Sequence, residues 1–553
     1  MTDKLFFFVR LFEELEKKRA QPGRYFTPRA YRNAAVRFRS NTSHHCAEAK
    51  AQFGTSACPL HSVKARAELV TNIGLNPFLY PAHLLPGCDL LSDSGTTTMT
   101  MEQWAQLLLG DEAYGSNEGY YQLNEQLAKT FGDVWRQDLN RPIQTLFIFH
   151  QGRAAEHALF SNLARRLSSE NHTPLATVLN SLPDQNGLFA RIKVALSRIE
   201  RRHNAAPCYL IPSNGHFDTT EANIADSNFV PLNLNCDEHR NNDESFPFRG
   251  NINLEELKLL LDTMPERIPL VYLTITNNTG GGQPVSMANI RAVRALTAEH
   301  NIPFFFDACR FAENAYFIHN REPGYERKTI AEIVQEMFQY VDGFHISLKK
   351  DGLVNIGGAL LIRPDGLFVR RYPELLEKLT DYQILVEGHP TYGGLAGRDL
   401  KAVAEGLRTV VNPDYLASRI GQVQRFAERL SADGVPVLKP AGGHAVYIDI
   451  DRFFPDARDE DYPGIGFVAL LLVAGHRLCE LGVYAFGLEN SPAPRNNFVR
   501  AAVPRLAYED QDLFAAAEAI KLLYQHRDSI PPVEVVYGRD LTLRHFKSRF
   551  RFK

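Results

Sequence analysis

Short apolar runs alternate with longer stretches of helical periodicity from about residue 140 onwards. The run TLFIFH (145–150) predicts a strand, and GRAAEHALFSNLARRL after it predicts a helix. The alternation continues with strands predicted in PLVYLTITN, IPFFFDACR, GFHISL and GALLIR, and with a helix predicted in MANIRAVRALTAEH. Buried strands separated by helices indicate an α/β unit with a mostly parallel sheet.

The two ends of the chain carry a different pattern. Leu5, Phe8, Phe12 and Leu15 recur at helical spacing, which predicts an amphipathic helix that docks on its own chain or on another subunit. Roughly the last 130 residues alternate helices, such as ASRIGQVQRFAERLSADG, with short strands, such as HAVYIDI and FVRAAVP. This alternation predicts a second, smaller α/β layer.

Composition excludes several classes of protein. At 553 residues the chain exceeds what one core can hold, so two or more packed units are expected. With 61 Lys and Arg against 64 Asp and Glu, no basic field indicates nucleic acid or an anionic membrane as a partner. No apolar run approaches the ~20 residues of a membrane span, and the N-terminal apolar patch is too charged for a signal peptide. The seven scattered cysteines, without a CxxC motif, are typical of free thiols in a reducing cytoplasm.

Familiar metal and phosphate motifs are missing from the sequence. The stretch HHCAEAKAQFGTSACPLH contains His44, His45, Cys46, Cys58 and His61, but the spacing of its cysteines matches no common zinc site. The chain has no zincin histidine pair, no GxSxG and no phosphate loop ending in Gly-Lys-Ser/Thr.

Polar residues at the ends of the predicted strands carry the candidate chemistry, because open α/β sheets bind ligands there. Gln151, Gly152 and Arg153 stand at a predicted helix start, where backbone N–H groups and an arginine suit an anion such as phosphate. Asp307 ends the run FFFD, and a carboxylate after so apolar a run requires a cation. A purely structural pair with Arg310 is the alternative interpretation.

Lys350 then follows on the next strand and turn. A phosphate site, an isolated carboxylate and a later lysine meet the needs of pyridoxal 5′-phosphate: the lysine forms a Schiff base, and the carboxylate keeps the ring nitrogen protonated. The neighbouring Lys349 would help to keep Lys350 neutral by charge repulsion, and would offer a positive charge to the phosphate.

The sequences and the order of these motifs resemble those of the β-eliminating lyases, the family of tryptophanase and tyrosine phenol-lyase, over roughly residues 66 to 550. The matching motifs are DLLSDSGTTTMT, LLGDEAYGS, HQGRAAE, FDTTEAN, GGQPVSMANIRAVRALT, FDACRFAENAYF, KKDGLVNIGG, PTYGGLAGRD, AGGHAVYIDI and VRAAVPR. The resemblance implies the fold type I of pyridoxal-phosphate enzymes, like aspartate aminotransferase, with a seven-stranded sheet in the large domain. The expected regions are an N-terminal extension (1–65), a small domain (66–98 and 415–553) and a large domain (99–414) with an insertion at about 165–205.

The resemblance also implies a set of site residues. Around the cofactor phosphate it implies Ser94, Gln151, Gly152, Arg153, Ser347 and Lys349. Around the ring it implies Phe217 stacked on one face, Asp307 at the nitrogen, and Asn278 and Arg310 near the hydroxyl. It implies Lys350 as the Schiff-base lysine, Arg500 as the clamp for the substrate carboxylate, and Tyr114 as the general acid, supplied from a neighbouring subunit of a homotetramer built from catalytic dimers. Glu112, with backbone oxygens of Gly95 and Asn355, resembles the potassium site of the family.

The leaving group is indicated by fewer residues. Leu488 stands where tyrosine phenol-lyases carry an arginine, and Asp218 and His545 are also similar to tryptophanase. We therefore expect elimination of indole from L-tryptophan, with phenol or thiol elimination as the alternative. His389 replaces the methionine or aromatic residue expected beside the substrate, so the shape of the pocket is expected to differ. Two alternatives belong to other classes: a non-catalytic relative, and a protein that binds nucleotide phosphate through its glycine triplet. The retention of Lys350, Asp307 and Arg500 argues against a non-catalytic relative.

Overall fold

The computed structural model describes residues 3–19, 62–111, 113–170, 172–183, 187–203, 205–241, 244–489, 491 and 495–553. The described chain forms two compact units. The central unit is Met101–Leu416, and the terminal unit consists of the described residues within Met1–Thr100 and Ala417–Lys553. The candidate zinc ligands between His44 and His61 lie outside the described residues.

Strands and helices are numbered along the chain. The strands are β1 (Leu146–Phe149), β2 (Leu210–Ser213), β3 (Val230–Asn233), β4 (Val271–Thr274), β5 (Phe304–Asp307), β6 (Gly343–Ser347), β7 (Gly358–Ile362), β8 (Ala445–Asp449), β9 (Cys479–Leu481), β10 (Phe498–Ala502), β11 (Val533–Tyr537) and β12 (Arg549–Phe552). The helices are α1 (Asp3–Arg19), α2 (Val63–Asn72), α3 (Met101–Leu108), α4 (Glu118–Phe131), α5 (Gly152–Leu167), α6 (Leu175–Ser181), α7 (Leu188–Glu200), α8 (Asp218–Asp226), α9 (Asp237–Arg240), α10 (Leu254–Thr263), α11 (Met287–Glu299), α12 (Phe311–Arg321), α13 (Ile330–Gln339), α14 (Leu367–Arg371), α15 (Leu375–Val386), α16 (Gly397–Val410), α17 (Pro413–Ala432), α18 (Ile450–Phe453), α19 (Pro463–Ala474), α20 (Val483–Phe486), α21 (Asp510–Gln525) and α22 (Arg544–Lys547). Short 3-10 turns lie at Pro77–Leu79, Ala82–Leu84, Asp133–Trp135, Pro265–Arg267, Asp459–Asp461 and Arg527–Ser529.

A seven-stranded sheet forms the middle of the central unit, in the order β1-β7-β6-β5-β4-β2-β3. Neighbouring strands are parallel from β3 to β6, and β7 runs antiparallel to both β6 and β1. All but the edge strand β3 are buried along their whole length, which explains their continuous apolar sequence. The predicted α/β fold with a mostly parallel, seven-stranded sheet is therefore confirmed.

The sequence pattern located most of this sheet and missed one side of it. The strands predicted from TLFIFH, PLVYLTITN and IPFFFDACR correspond to β1, β4 and β5, and the helix predicted after β1 is α5 with the same bounds. The pattern missed β2 and β3, which contain Pro212 and Pro231. Proline argues against a strand because it lacks the backbone donor, although β3 is an edge strand, where proline is tolerated.

The terminal unit has a separate core. A three-stranded antiparallel sheet, β8-β10-β9, and the hairpin of β11 and β12 surround the wholly apolar helix α19. Leu5, Phe8 and Phe12 of α1 are buried in this core, and α1 packs against α2 and α19. The predicted amphipathic helix is thus confirmed, and it docks on its own chain. Among the described residues, no helix is both long enough and apolar enough to cross a bilayer.

Candidate active site

Lys350 lies in the turn that joins β6 to β7, and its backbone is held from several sides. Leu353 N donates a hydrogen bond to Lys350 O (3.0 Å). The next residue, Asp351, accepts one from Ala312 N at the start of α12 (2.8 Å). The side-chain amide of Gln103 in α3 donates to Leu353 O (2.9 Å). The turn therefore presents Lys350 from a fixed backbone.

The start of α5 packs closely against the end of β6. A Cβ atom on Gly152 would come within 2.6 Å of Ser347 Cβ, so only glycine allows this approach. Lys349 Nζ lies 3.4 Å from Gln151 Oε1, the residue immediately before the helix. The structure thus brings Gln151, Gly152, Ser347 and Lys349 together at the start of a helix, where backbone N–H groups point outward.

Positive charge accumulates at this helix start. Burial lowers the pKa of Lys349, and the charges of Lys350 and Arg153 lower it further. A cation near Lys349 disfavours the proton of this lysine, so both neighbouring charges act in the same direction as burial. Arg153 is exposed to solvent, whereas Lys349 and Lys350 are half-buried. Such a cluster is suited to an anion that carries more than one negative charge.

Asp307 lies at the end of β5 with only 4% of its surface exposed. Burial alone would raise the pKa of Asp307, but the charge of His345, hydrogen bonding by Cys309 and the charge of Lys350 together lower it. Cys309 N donates to Asp307 Oδ1 over 3.2 Å. A buried, anionic carboxylate therefore lies within electrostatic range of Lys350, in the same unit.

The cation beside Asp307 is His345, which the sequence analysis missed. The two residues are paired across β5 and β6, and His345 Nε2 lies 3.6 Å from Asp307 Oδ1. The same nitrogen lies 2.9 Å from Oε1 of Glu156 in α5. The signal in the sequence was a histidine in the otherwise apolar strand GFHIS, since a fully buried imidazole requires partners.

Other predicted cofactor residues lie at the carboxyl ends of neighbouring strands. Asn278 follows β4 and is buried, and its carbonyl accepts a hydrogen bond from Gly281 N (3.0 Å). Arg310 is buried and precedes α12, and its backbone N–H donates to Ile275 O (3.2 Å). Phe217 immediately precedes α8 and is half-buried. All three belong to the central unit.

Tyr114 lies apart from these contacts in an exposed aromatic group. It is 81% exposed, and its ring makes edge contacts with His389 and Tyr392 at centroid distances of 5.8 and 5.6 Å. A hydrogen bond with Tyr392 raises the pKa of Tyr114. The structure therefore joins the predicted general acid to His389, the residue that departs from the family pattern. Asn355 is exposed in the turn before β7, and Glu112 lies outside the described residues.

The remaining predicted residues belong to the terminal unit. Arg500 lies at the centre of β10, the middle strand of its sheet, is buried, and donates to Leu91 O (3.1 Å). Ser94 and Gly95 follow Asp93, which forms a buried ion pair with Arg505 (2.9 Å).

His545 and Leu488 also lie in the terminal unit. His545 is buried in α22 and makes an edge contact with Phe78 at a centroid distance of 5.7 Å. Leu488 is partly buried against the core of the unit. Asp218 is half-buried at the first position of α8, in the central unit, and its Oδ1 accepts a hydrogen bond from Thr219 N (2.6 Å).

Known proteins are similar to this chain over most of its length. The family model described as beta-eliminating lyase matches residues 89–518. A tryptophanase of Salinibacter ruber is 39% identical over 470 residues, which cover 84% of this chain and 87% of that protein. A tryptophanase of Hyphomonas neptunium is 38% identical, and a tyrosine phenol-lyase of Fusobacterium nucleatum is 36% identical; each alignment covers 88% of this chain and 94% of the relative.

The fold is also similar to that of a solved structure. An aspartate aminotransferase from Thermotoga maritima superposes with a TM-score of 0.50 at 14% identity, covering 83% of this chain and 95% of that one. At this identity the likeness shows the fold alone, and the family match shows the class of enzyme. The chain belongs to the β-eliminating lyase family, and it is a lyase that depends on pyridoxal 5′-phosphate.

Proposed function

We propose that the protein catalyses β-elimination of an aromatic L-amino acid, converting L-tryptophan and water into indole, pyruvate and ammonia. The observation that carries the proposal is the opposition of charges at the strand ends. Lys349, Lys350 and Arg153 form a cationic cluster, and the buried anion Asp307 lies within electrostatic range of Lys350. Two relatives named tryptophanase support the choice of substrate.

The donor set fits pyridoxal 5′-phosphate. The start of α5 and the charge of Arg153 and Lys349 suit its phosphate, and the close approach at Gly152 brings backbone N–H groups and Lys349 to the same place. The anionic carboxylate of Asp307 suits a protonated ring nitrogen. Lys350 carries the amine for the aldehyde, and Phe217 offers a ring to stack on the cofactor.

The chain's own groups would divide the remaining work. When bound, pyridoxal phosphate would supply a sink for the electron pair left on the α carbon of the substrate. Lys350 removes the α proton, and the guanidinium of Arg500 binds the substrate carboxylate through two parallel hydrogen bonds. Tyr114 donates a proton to C3 of the indole ring as the bond between C3 and the β carbon breaks. General acid help of this kind is worth roughly 100- to 10,000-fold.

Three residues support indole as the leaving group. Leu488 offers an apolar side chain where a phenol oxygen would require a polar partner. Asp218 and His545 offer acceptors for the indole N–H. The hydroxyl of Tyr114 can donate a proton to the leaving ring, and its hydrogen bond with Tyr392, which raises its pKa, keeps that proton to higher pH.

The proposal includes a monovalent cation and a multimeric state. Glu112 and the backbone oxygens of Gly95 and Asn355 would bind potassium, since hard oxygen ligands suit such an ion. A homotetramer built from catalytic dimers would cover the apolar side chains that the central unit exposes. Leu108, Leu109, Leu385 and Tyr114 are each at least 65% exposed.

The test is an assay of the purified protein, loaded with pyridoxal phosphate, on L-tryptophan, L-tyrosine and an S-alkyl cysteine. We expect indole and pyruvate in equal amounts from tryptophan. Lys350→Ala should abolish turnover and the yellow absorbance of the lysine-bound cofactor. Lys378→Ala, which changes an exposed lysine of α15, is the matched control and should leave both unchanged. Multiple turnovers by Lys350→Ala would refute the assignment, and failure of the native protein to take up cofactor would favour a non-catalytic role.

Tyrosine is the second candidate substrate, because a tyrosine phenol-lyase is nearly as similar to this chain as the tryptophanases are. Release of phenol from tyrosine faster than indole from tryptophan would establish this alternative. Fast release of thiol from the S-alkyl cysteine alone would indicate a carbon–sulfur lyase.

A further inference from the structure

His345 occupies a position between two buried carboxylates. Its side chain has no exposed surface, and its Nε2 lies 2.9 Å from Glu156 Oε1 and 3.6 Å from Asp307 Oδ1. Its Nδ1 contacts the hydroxyl group of Tyr272, and the two rings lie parallel with centroids 5.7 Å apart. These four residues all belong to the central unit.

Glu156 is held in place independently of His345. Its Oε1 accepts a hydrogen bond from the hydroxyl of Thr220 (2.8 Å), and its Oε2 accepts one from the amide of Asn223 (3.1 Å), both on α8. The distances make Glu156 the hydrogen-bond acceptor for the Nε2–H of His345, while Asp307 lies beyond hydrogen-bond distance of that nitrogen. Asp307 therefore keeps oxygen lone pairs for another donor.

Two carboxylates that contact one buried cation would repel each other without it. Glu156 and Asp307 are each only 4% exposed, so solvent screens them little. Without the cation, one carboxylate of such a pair would take up a proton, because two carboxylates in a shared buried site cannot both be ionised. Burial alone would lower the pKa of His345, but the charges of Asp307 and Glu156 raise it well above its ordinary value, so the ring carries its proton.

His345 lies against both carboxylates, and the charge of Lys350 acts on Asp307 as well. His345 offsets one of the two carboxylates, and a protonated ring nitrogen beside Asp307 would offset the other. We propose that His345 is a positioning residue: by neutralising Glu156, it keeps Asp307 ionised and available to the ring nitrogen of the cofactor. The inference rests on the proposed role of Asp307.

The other titratable groups around His345 do not supply this charge. Burial lowers the pKa of His216, which precedes Phe217, to about 4, so it is neutral near pH 7. Burial and the negative charges nearby raise the pKa of Tyr272 well above its ordinary value, so its hydroxyl stays neutral. Cys309 Sγ is 3.9 Å from His345 Nε2 and can only add a weak hydrogen bond. Lys350 follows β6 and is committed to the aldehyde in the proposed function.

A double-mutant cycle tests the inference without any substrate. The variants are His345→Gln, Glu156→Gln and the double variant, and two properties are measured for each. One is the dissociation constant of pyridoxal phosphate from the holoenzyme. The other is the nitrogen-15 chemical shift of the labelled ring nitrogen, which reports its protonation between pH 6 and 9.

His345→Gln should weaken cofactor binding at least about tenfold, since one unit of pKa change at Asp307 is a tenfold change in the ion pair. The ring nitrogen should then lose its proton within the measured pH range. Glu156→Gln should also weaken binding, because His345 is left with Asp307 alone and competes with the ring for it. The double variant should restore most of the affinity and of the ring protonation, because it removes one charge of each sign.

A purely structural role predicts the opposite result, in which the double variant is at least as impaired as the worse single variant. That result, or an unchanged nitrogen-15 shift in His345→Gln, overturns the inference. If His345→Gln does not fold, the comparison of Glu156→Gln with the double variant still decides. Asp307→Asn distinguishes failure of the proposed role of Asp307 from failure of the proposed role of His345. If Asp307→Asn leaves the ring nitrogen protonated, the proposed role of Asp307 fails. If Asp307→Asn deprotonates the ring nitrogen and His345→Gln does not, only the role of His345 fails.

Discussion

Each unit buries carboxylates almost completely, and two that are buried to nearly the same extent, one from each unit, behave in opposite ways. Asp307 in the central unit and Glu480 in the terminal unit are 4% and 5% exposed. The pKa of Asp307 is lowered, whereas that of Glu480 is raised to about 7. Equal burial therefore does not determine the charge of a carboxyl group.

The difference lies in the partners. Burial raises the pKa of Glu480, and the groups that oppose burial are chiefly two backbone N–H donors, those of Tyr484 (3.0 Å) and Ala485 (2.9 Å). Asp307 has one such donor, but a full positive charge lies 3.6 Å away on His345. A nearby cation stabilises a buried anion more than neutral donors do, because the local dielectric is low. Asp307 thus keeps its charge, whereas Glu480 keeps its proton to a much higher pH than an ordinary carboxyl group does.

The largest expected effect is at Asp307. Asp307→Asn removes the anion but keeps the shape, and we expect elimination from tryptophan to fall by about 100-fold or more, as for other groups that stabilise developing charge. Steady-state kinetics of pyruvate release measures this loss. Activity within a factor of two of the native protein would show that the anion has no part in the reaction.

Glu480→Gln tests the other side of the comparison through stability. A carboxyl group whose pKa is raised on folding from 4.5 to about 7 lets stability fall as pH rises through that interval. The fall is about 3 kcal/mol for a shift of this size. The glutamine side chain does not titrate, so the Tm difference between variant and native protein should grow in favour of the variant between pH 5 and 8. A constant difference would mean that Glu480 ionises normally in the fold.

His545→Gln should produce a smaller shift at the same carboxyl group. In its protonated form His545 lowers the pKa of Glu480 weakly compared with the effect of burial. Its removal should move the pH dependence of Tm upward by less than about one pH unit. If His545→Gln changed the pKa of Glu480 as much as His345→Gln changes that of Asp307, the two carboxyl groups would not differ in their dependence on a nearby charge.

Tyr392→Phe addresses an exposed acid and should have the smallest effect. The hydrogen bond with Tyr392 raises the pKa of Tyr114, so its loss lets Tyr114 ionise at lower pH. The alkaline limb of the pH profile for tryptophan elimination should therefore move to lower pH, with little change near pH 7. An unchanged alkaline limb would argue that another group is the general acid. Tyr537→Phe, which changes an exposed tyrosine of β11, is the matched control.

The sequence predicted the parts of the site that follow from local pattern. Lys350 and Asp307 could be identified because each ends or follows an apolar run, and the carboxyl ends of neighbouring parallel strands lie at one edge of a sheet. Gly152 could be identified because it stands at a predicted helix start, where backbone N–H groups beside an arginine suit an anion. The same local rules predicted β1, β4, β5, β6 and β7.

Contacts between distant segments could not be predicted in this way. The pair formed by Glu156 and His345 joins α5 to β6, 189 residues apart, and depends on the register of β5 against β6. Arg310 follows Asp307 closely in sequence, so local pattern indicated it as the cationic partner of Asp307. The pairing of β5 with β6 instead brings His345 beside Asp307. Strands β2 and β3 were hidden by their prolines, which local pattern counts against a strand although the sheet accommodates them.

The fixed backbone around Lys350 has a consequence for how its amine moves during the reaction. Two central strands, the capped start of α12 and the amide of Gln103 all restrain the peptide that carries this amine. A reaction that needs the nitrogen at several places in turn must then rely on rotation of the four methylene groups, which is fast on the timescale of turnover. The reaction therefore needs a mobile Lys350 side chain on a fixed backbone. Substitutions that loosen this backbone should reduce the stereospecificity of proton transfer before they reduce its rate.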